Sequence, residues 1–163
     1  VAAAEDVRQY VLFRLGPEEY GLPIVKVSSI IRYEPATPVP RAPSVVEGVI
    51  NLRGRVIPVV NLARKLFDQD FNPTPSSRII VAEGEAGQVG LAVDAASEVV
   101  SIASADILET PESALTPETS EAFEGVTRHG DRLIILLDLD KALPRGDYES
   151  QATGEIAEGD ENV

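Results

Sequence analysis

The chain has no cysteine, one histidine and no long apolar run, and each absence closes off a class of function. Without cysteine there is no disulfide scaffold, no thiol nucleophile and no thiolate metal site. With His129 alone, in the turn RHGD, no histidine-based triad can assemble, and neither a GxSxG elbow nor an SxxK pair supplies another activated nucleophile. His129 reads as a turn residue. No stretch approaches the roughly 18 apolar residues of a membrane helix, and VAAAED has neither the basic start nor the apolar core of a secretory signal. The expectation is a cytoplasmic protein without direct membrane insertion. Excess positive charge is missing as well: the formal charge is -13. Such a field repels phosphate backbones and argues against nucleic acid as a partner.

That charge is uneven. Residues 146–163 hold six acids (Asp147, Glu149, Glu155, Glu158, Asp160, Glu161) and no base, which reads as a disordered, solvated tail. Two apparent ion sites fail on inspection. DQDFN at 68–72 opens with calcium-loop spacing, but Pro73 stands where glycine is needed and Ile79 where the closing glutamate belongs. GRVIPV has neither the lysine nor the spacing of a phosphate loop. No cofactor or metal is expected.

What is present is a globular chain of 163 residues, 44% hydrophobic, built from short β-branched runs punctuated by glycine and proline. Ten strands are predicted, at 9–15, 19–24, 27–33, 47–52, 55–61, 77–83, 88–94, 97–103, 124–128 and 132–138, with short helical turns in NLARKLF and DLDKAL. The proline-laden EPATPVPRAP between them is an extended loop. The fold class is all-β.

The ten strands fall into an internal repeat. At an offset of 69, GLPIVKVSSII (21–31) aligns with GLAVDAASEVV (90–100); at an offset of 77, GVINLRGRVIPVVNLARKL (48–66) aligns with GVTRHGDRLIILLDLDKAL (125–143). The eight extra residues fall in ADILETPESALTPETSE. Two copies, about 9–68 and 77–145, predict two pseudo-twofold, five-stranded barrels, since an open five-stranded sheet of this size cannot bury both faces. Each is marginal alone, so a shared hydrophobic core is expected, with VIPVV and LIILL in it. Pro58, lacking a backbone donor, predicts an edge or a bulge.

The copies differ most at NLRG. Alternation puts Asn51 and Arg53 on one face, beside Gly54, whose missing side chain permits a positive-φ turn and close approach of a partner. A solvent-exposed turn arginine and a recognition arginine fit this pattern equally. VKVSSII leaves neither face wholly polar, so an exposed apolar side chain there would suit protein binding, while core burial is the alternative for Val27.

YVLFRLGPEEYGLPIVKVSSI, TPVPRAP and above all VEGVINLRGRVIPVVNLARKLF resemble the CheW family of chemotaxis coupling proteins, over about residues 9–144 within a domain at 7–145. The resemblance implies SH3-like barrels and a non-enzymatic adaptor. Its partners would be a CheA-type histidine kinase, through the regulatory domain, and the cytoplasmic tips of methyl-accepting chemoreceptors, in membrane-associated arrays. By position, the family's receptor-facing groove implies Ile24, Val27, Gly48 and Arg53, with Ala96 and Val99 from the second barrel. Ser29 departs from the acidic residue common at its position, and Asn61 from an aspartate. A similar scaffold with a non-flagellar output (gliding, pili or a second messenger), a kinase regulatory fragment and an enzyme on small barrels remain alternatives.

Overall fold

The structure, a computed structural model, describes residues 6–109 and 122–143. The acidic segment 146–163, residues 144–145 and most of the insertion ADILETPESALTPETSE lie outside the described residues. All ten predicted strands form: β1 Val7–Leu15, β2 Glu18–Pro23, β3 Val27–Arg32, β4 Val46–Leu52, β5 Arg55–Asn61, β6 Arg78–Gly84, β7 Gly87–Val93, β8 Ala95–Ala103, β9 Phe123–His129 and β10 Arg132–Leu137. The helical turns are α1 (Leu62–Phe67) and α2 (Leu139–Ala142), each started by a side-chain cap. Asn61 accepts the Arg64 N–H at 3.1 Å, and its repeat equivalent Asp138 accepts the Lys141 N–H at 3.3 Å. Asparagine therefore does the capping work of aspartate here.

The strands form two five-stranded sheets, ordered β8-β1-β2-β10-β9 and β3-β6-β7-β5-β4. Neither sheet is one repeat. The β3 barrel is contiguous, residues 27–93, and takes three strands from the first copy and two from the second. The β1 barrel is assembled around it from the N-terminal hairpin and the last three strands. Replacing every strand by its repeat equivalent converts one order into the other, so the twofold relation survives the exchange. The chain crosses between the barrels twice, through a 3-10 turn at Ile24–Lys26 and through Asp94 alone.

Each sheet closes by a further bridge. The chain beyond β3 returns at Thr37 to pair with Val49, and the chain beyond β8 returns at Leu108 to pair with Val126. Gly48 and its equivalent Gly125 make room for these returns. A Cβ on Gly48 would stand 2.1 Å from the Thr37 carbonyl oxygen, and Gly48 has φ 148, while a Cβ on Gly125 would stand 2.8 Å from the Leu108 carbonyl oxygen.

Alternation along the central strands feeds separate cores. On β1, Tyr10 and Leu12 enter the β1 barrel while Phe13 and Leu15 enter a core shared between the sheets; on β6, Ile79 and Val81 enter the β3 barrel while Ile80 and Ala82 enter the shared core. VIPVV and LIILL enter the shared core only in part: Val60 and Leu137 lie in it, but Ile57 and Val59 fill one barrel, Ile134 and Leu136 fill the other, and Val56 and Leu133 are exposed, because alternation sends successive side chains to opposite faces. Burying each such side chain is worth about 1.5–3 kcal/mol, so the shared core is a large part of what holds either barrel.

Pro58 differs from expectation in part. Strand β5 is interior, between β7 and β4, rather than an edge. Its parallel ladder with β7 begins only at Val59, whereas the equivalent ladder of β10 with β2 already includes Ile134 and Ile135. The missing N–H is tolerated where the parallel ladder has not yet begun; on its other side Pro58 pairs with Val49, beside the β4 bulge between Val46 and Gly48 that faces Val59 and Val60.

Candidate functional site

The β4–β5 hairpin closes on the pair Leu52 and Arg55, leaving a two-residue turn in which Arg53 has φ 54 and Gly54 φ 84. Positive φ at both positions matches the twist of the flanking strands. For Gly54 this is free; for Arg53 the left-handed region costs about 1 kcal/mol. The Asn51 Oδ1 accepts the Gly54 N–H at 2.9 Å and holds the turn. At the equivalent turn the left-handed position is taken by Gly130, φ 66. The fold thus admits the unstrained residue at this corner, and the first copy carries an arginine instead.

Beside the turn is an open cleft of about 270 Å³ lined by Ser28, Ser29, Leu52, Arg53, Arg55 and Gln88. A bulge in β3 between Val27 and Ser29 brings two successive serines to it. Arg55 donates from Nη1 to the Gln88 Oε1 at 2.9 Å, and the Gln88 Nε2 donates to the Glu83 Oε2 at 2.9 Å and to the Ser28 Oγ at 3.4 Å. A neutral amide therefore stands between Arg55 and the Glu83 carboxylate. Arg53 is exposed, with no hydrogen bond or ion pair to any described residue. Two guanidinium groups, two hydroxyls and an amide line the cleft, so it offers positive charge and hydrogen-bond donors.

The equivalent place on the β1 barrel is occupied from within. Arg132, the counterpart of Arg55, pairs with Glu19 at 3.0 Å and with Glu98 at 2.8 Å. Glu19 and Glu98 are the counterparts of Gln88 and Ser29. Glu19 is only 6% exposed where it meets that guanidinium. The hydrogen bond from Arg132 holds the Glu98 carboxyl below the usual carboxylate range and raises the pKa of Arg132 in return.

The predicted site residues do not all meet. Asn51, Arg53 and Gly54 form the turn. Val27 is half-buried against the shared core, one residue before the cleft. Gly48 is buried under Thr37 and has no side chain to present. Ile24 lines a different cavity, about 480 Å³, with Val25, Lys26, Arg8 and Glu124. Ala96 and Val99 lie on β8 of the β1 barrel, half-buried and 48% exposed respectively, and line neither cavity. The exposed apolar side chains anticipated in VKVSSII are Val25, 84% exposed, and Ile30. The residues missed are Arg55, Ser28 and Gln88. The identity of Arg55 and Arg132 in the repeat made Arg55 look structural; the signal that could have found it was the difference between Gln88 and Glu19 and between Ser29 and Glu98 in the same repeat. Elsewhere Asp68 and Asp70 of DQDFN serve helix α1, the first as its left-handed C-cap and the second paired with Arg64.

Comparisons with known proteins identify the chain's relatives. Residues 9–146 match the family model described as CheW-like domain. The chain is 40% identical to the chemotaxis protein CheW of Rhizobium meliloti over 143 residues, 88% of this chain and 92% of that one. It is 37% identical to the chemotaxis protein CheW of Klebsiella aerogenes over 142 residues, 86% of this chain and 85% of that one. The crystal structure of the scaffolding protein TtCheW from Thermoanaerobacter tengcongensis superposes with a TM-score of 0.76 at 31% identity, covering 86% of this chain and 90% of that one.

Proposed function

The chain belongs to the CheW-like domain family, and from that membership and the shape of its surface we infer that it works as a chemotaxis coupling adaptor. Its chemistry is recognition. We propose that it joins the cytoplasmic tip of a chemoreceptor to the regulatory domain of a CheA-type histidine kinase, at receptor arrays on the cytoplasmic side of the membrane. Among the described residues no helix is long and apolar enough to cross a membrane. A coupling role asks only that the adaptor hold both partners, so that a conformational equilibrium in the receptor biases the kinase. In a lattice with many such contacts each interface need have only modest affinity.

The observation that carries this reading is Arg53, an exposed arginine without a partner among the described residues, at a strained corner where the sister hairpin uses glycine. A buried-on-binding arginine of this kind contributes about 2 kcal/mol or more to an interface. The test is capture of a receptor cytoplasmic fragment and of the kinase regulatory domain by the wild-type protein, Arg53→Ala and Val27→Lys. Both variants are expected to lose capture while β-rich circular dichroism is kept. Arg53→Ala is the cleaner of the two, because Val27 also packs against the shared core. Capture unchanged in both variants would sink the proposed interface.

A further inference from the structure

We propose that the cleft beside the β4–β5 hairpin receives one glutamate or aspartate side chain of a protein partner, which completes around Arg55 and Arg53 the ion pair that Glu98 makes with Arg132 in the other barrel. The inference rests on the adaptor reading and names the chemistry of its recognition site. The repeat itself supplies the template. At one end of the molecule Arg132 meets Glu19 at 3.0 Å and Glu98 at 2.8 Å. At the related position the two acids are Gln88 and Ser29, so Arg55 has a single neutral acceptor at 2.9 Å. Glu83, the acid on the far side of the Gln88 amide, accepts from its Nε2 at 2.9 Å. Serine at 29 is shorter than glutamate at 98, and the difference is open space: Ser29 lines the cleft of about 270 Å³. That volume suits one side chain and is too small for a helix. A charge-assisted bond from the fixed guanidinium fork is the strongest interaction a carboxylate could find there.

The source of the carboxylate follows from the charge of the whole chain. A molecule of formal charge -13 repels small free anions, and the cleft is too open to surround one. An acid delivered on a docked protein is held at high effective concentration and needs no help from the long-range field. A protein side chain is therefore favoured over a free carboxylate.

The experiment measures affinity for a receptor cytoplasmic fragment and for the kinase regulatory domain, with wild type, Ser29→Glu and Ser29→Gln. Glutamate at 29 would place an internal acid against Arg55, as Glu98 stands against Arg132, and glutamine fills the same space without charge. Ser29→Glu is expected to bind at least tenfold more weakly than Ser29→Gln to one of the two fragments. In that fragment, one acid-to-amide substitution should weaken binding to wild type by a similar factor and add nothing in the Ser29→Glu background. Equal affinities for the two Ser29 variants, with wild type binding, would overturn the carboxylate inference and leave the adaptor reading intact. Competition by free glutamate as strong as that by an acidic partner peptide would overturn the assignment to a protein side chain. Binding of wild type to neither fragment would overturn the adaptor reading itself.

Discussion

The β4–β5 and β9–β10 hairpins descend from the same repeat position, yet one is electrostatically finished and the other is not. In the second, Gly130 relaxes the turn and Arg132 is held between two carboxylates. In the first, Arg53 strains the turn and Arg55 faces an amide. Both copies keep the backbone pairing, the bulge on the preceding edge strand and the arginine that follows the turn. What the fold needs is thus visible as what the copies share. What the function needs is visible as what only one copy spends stability on.

Four experiments would break or sharpen that comparison. The largest effect is expected from cutting the chain at the repeat boundary, into 1–72 and 73–163. Each sheet draws strands from both pieces, so neither piece alone should show strand circular dichroism or a cooperative melt, and mixing them should restore both. A piece that folds alone would mean that the repeats are separate domains. Next comes Gly48→Ala against Gly125→Ala. The Gly48 Cβ would meet the Thr37 oxygen at 2.1 Å at a φ that alanine avoids, which should cost at least about 3 kcal/mol in chemical denaturation. Gly125→Ala, whose nearest conflicts are an isoleucine methyl at 2.6 Å and the Leu108 carbonyl oxygen at 2.8 Å without a positive φ, should cost roughly 1–3 kcal/mol.

Third is Arg53→Gly, which makes the first turn like the second. Relief of left-handed strain is set against the added freedom of glycine when unfolded, so the variant should gain between zero and about 1 kcal/mol. Partner capture should nonetheless fall tenfold or more. A variant that is both less stable and fully competent would show that the strain serves the fold.

The smallest effect concerns two equivalent glutamates. Glu47 accepts a hydrogen bond from Tyr33 at 3.0 Å and Glu124 one from Tyr10 at 3.1 Å, although the two tyrosines are not equivalent in the repeat. Burial first, then the neighbouring glutamate, raises both phenol pKa values, that of Tyr33 to about 12. The unfolded chain therefore loses these protons from about pH 10, before the folded one does, and unfolding is favoured as pH rises. Stability should be full below pH 10 and decline towards pH 12. Tyr33→Phe and Tyr10→Phe should each flatten the decline; an unchanged slope in both would assign it to other groups.

Strand content was readable because alternation and turn residues are local. The β4–β5 turn, the caps at Asn61 and Asp138 and the two-sided burial of VIPVV all follow from neighbours in the chain. The repeat also disclosed equivalence, but equivalence does not say which copy a strand pairs with. The β1–β8 ladder, which pairs Val7 with Ala103, is a long-range choice that either copy's pattern would satisfy. The same limit applied to the candidate site. Arg53 could be chosen from the difference between two hairpins. Arg55 looked like scaffold, because its identity to Arg132 concealed that β7 and β3 bring it a different pair of neighbours. Gly48 was read as part of a groove, and the crowding that explains it comes from Thr37, eleven positions earlier in the chain.

The two crossings between the barrels have a mechanical consequence. One is a three-residue turn, and the other is Asp94, whose N–H donates to the Arg14 carbonyl at 3.0 Å and whose carboxylate accepts the Gly16 N–H at 2.6 Å. Two rigid bodies tethered at a pair of points retain a single hinge axis, the line through them. The interdigitated side chains between the bodies obstruct rotation about it. The barrels thus act as one strut, in which a displacement of either is opposed by the shared core and both tethers rather than taken up by a long linker.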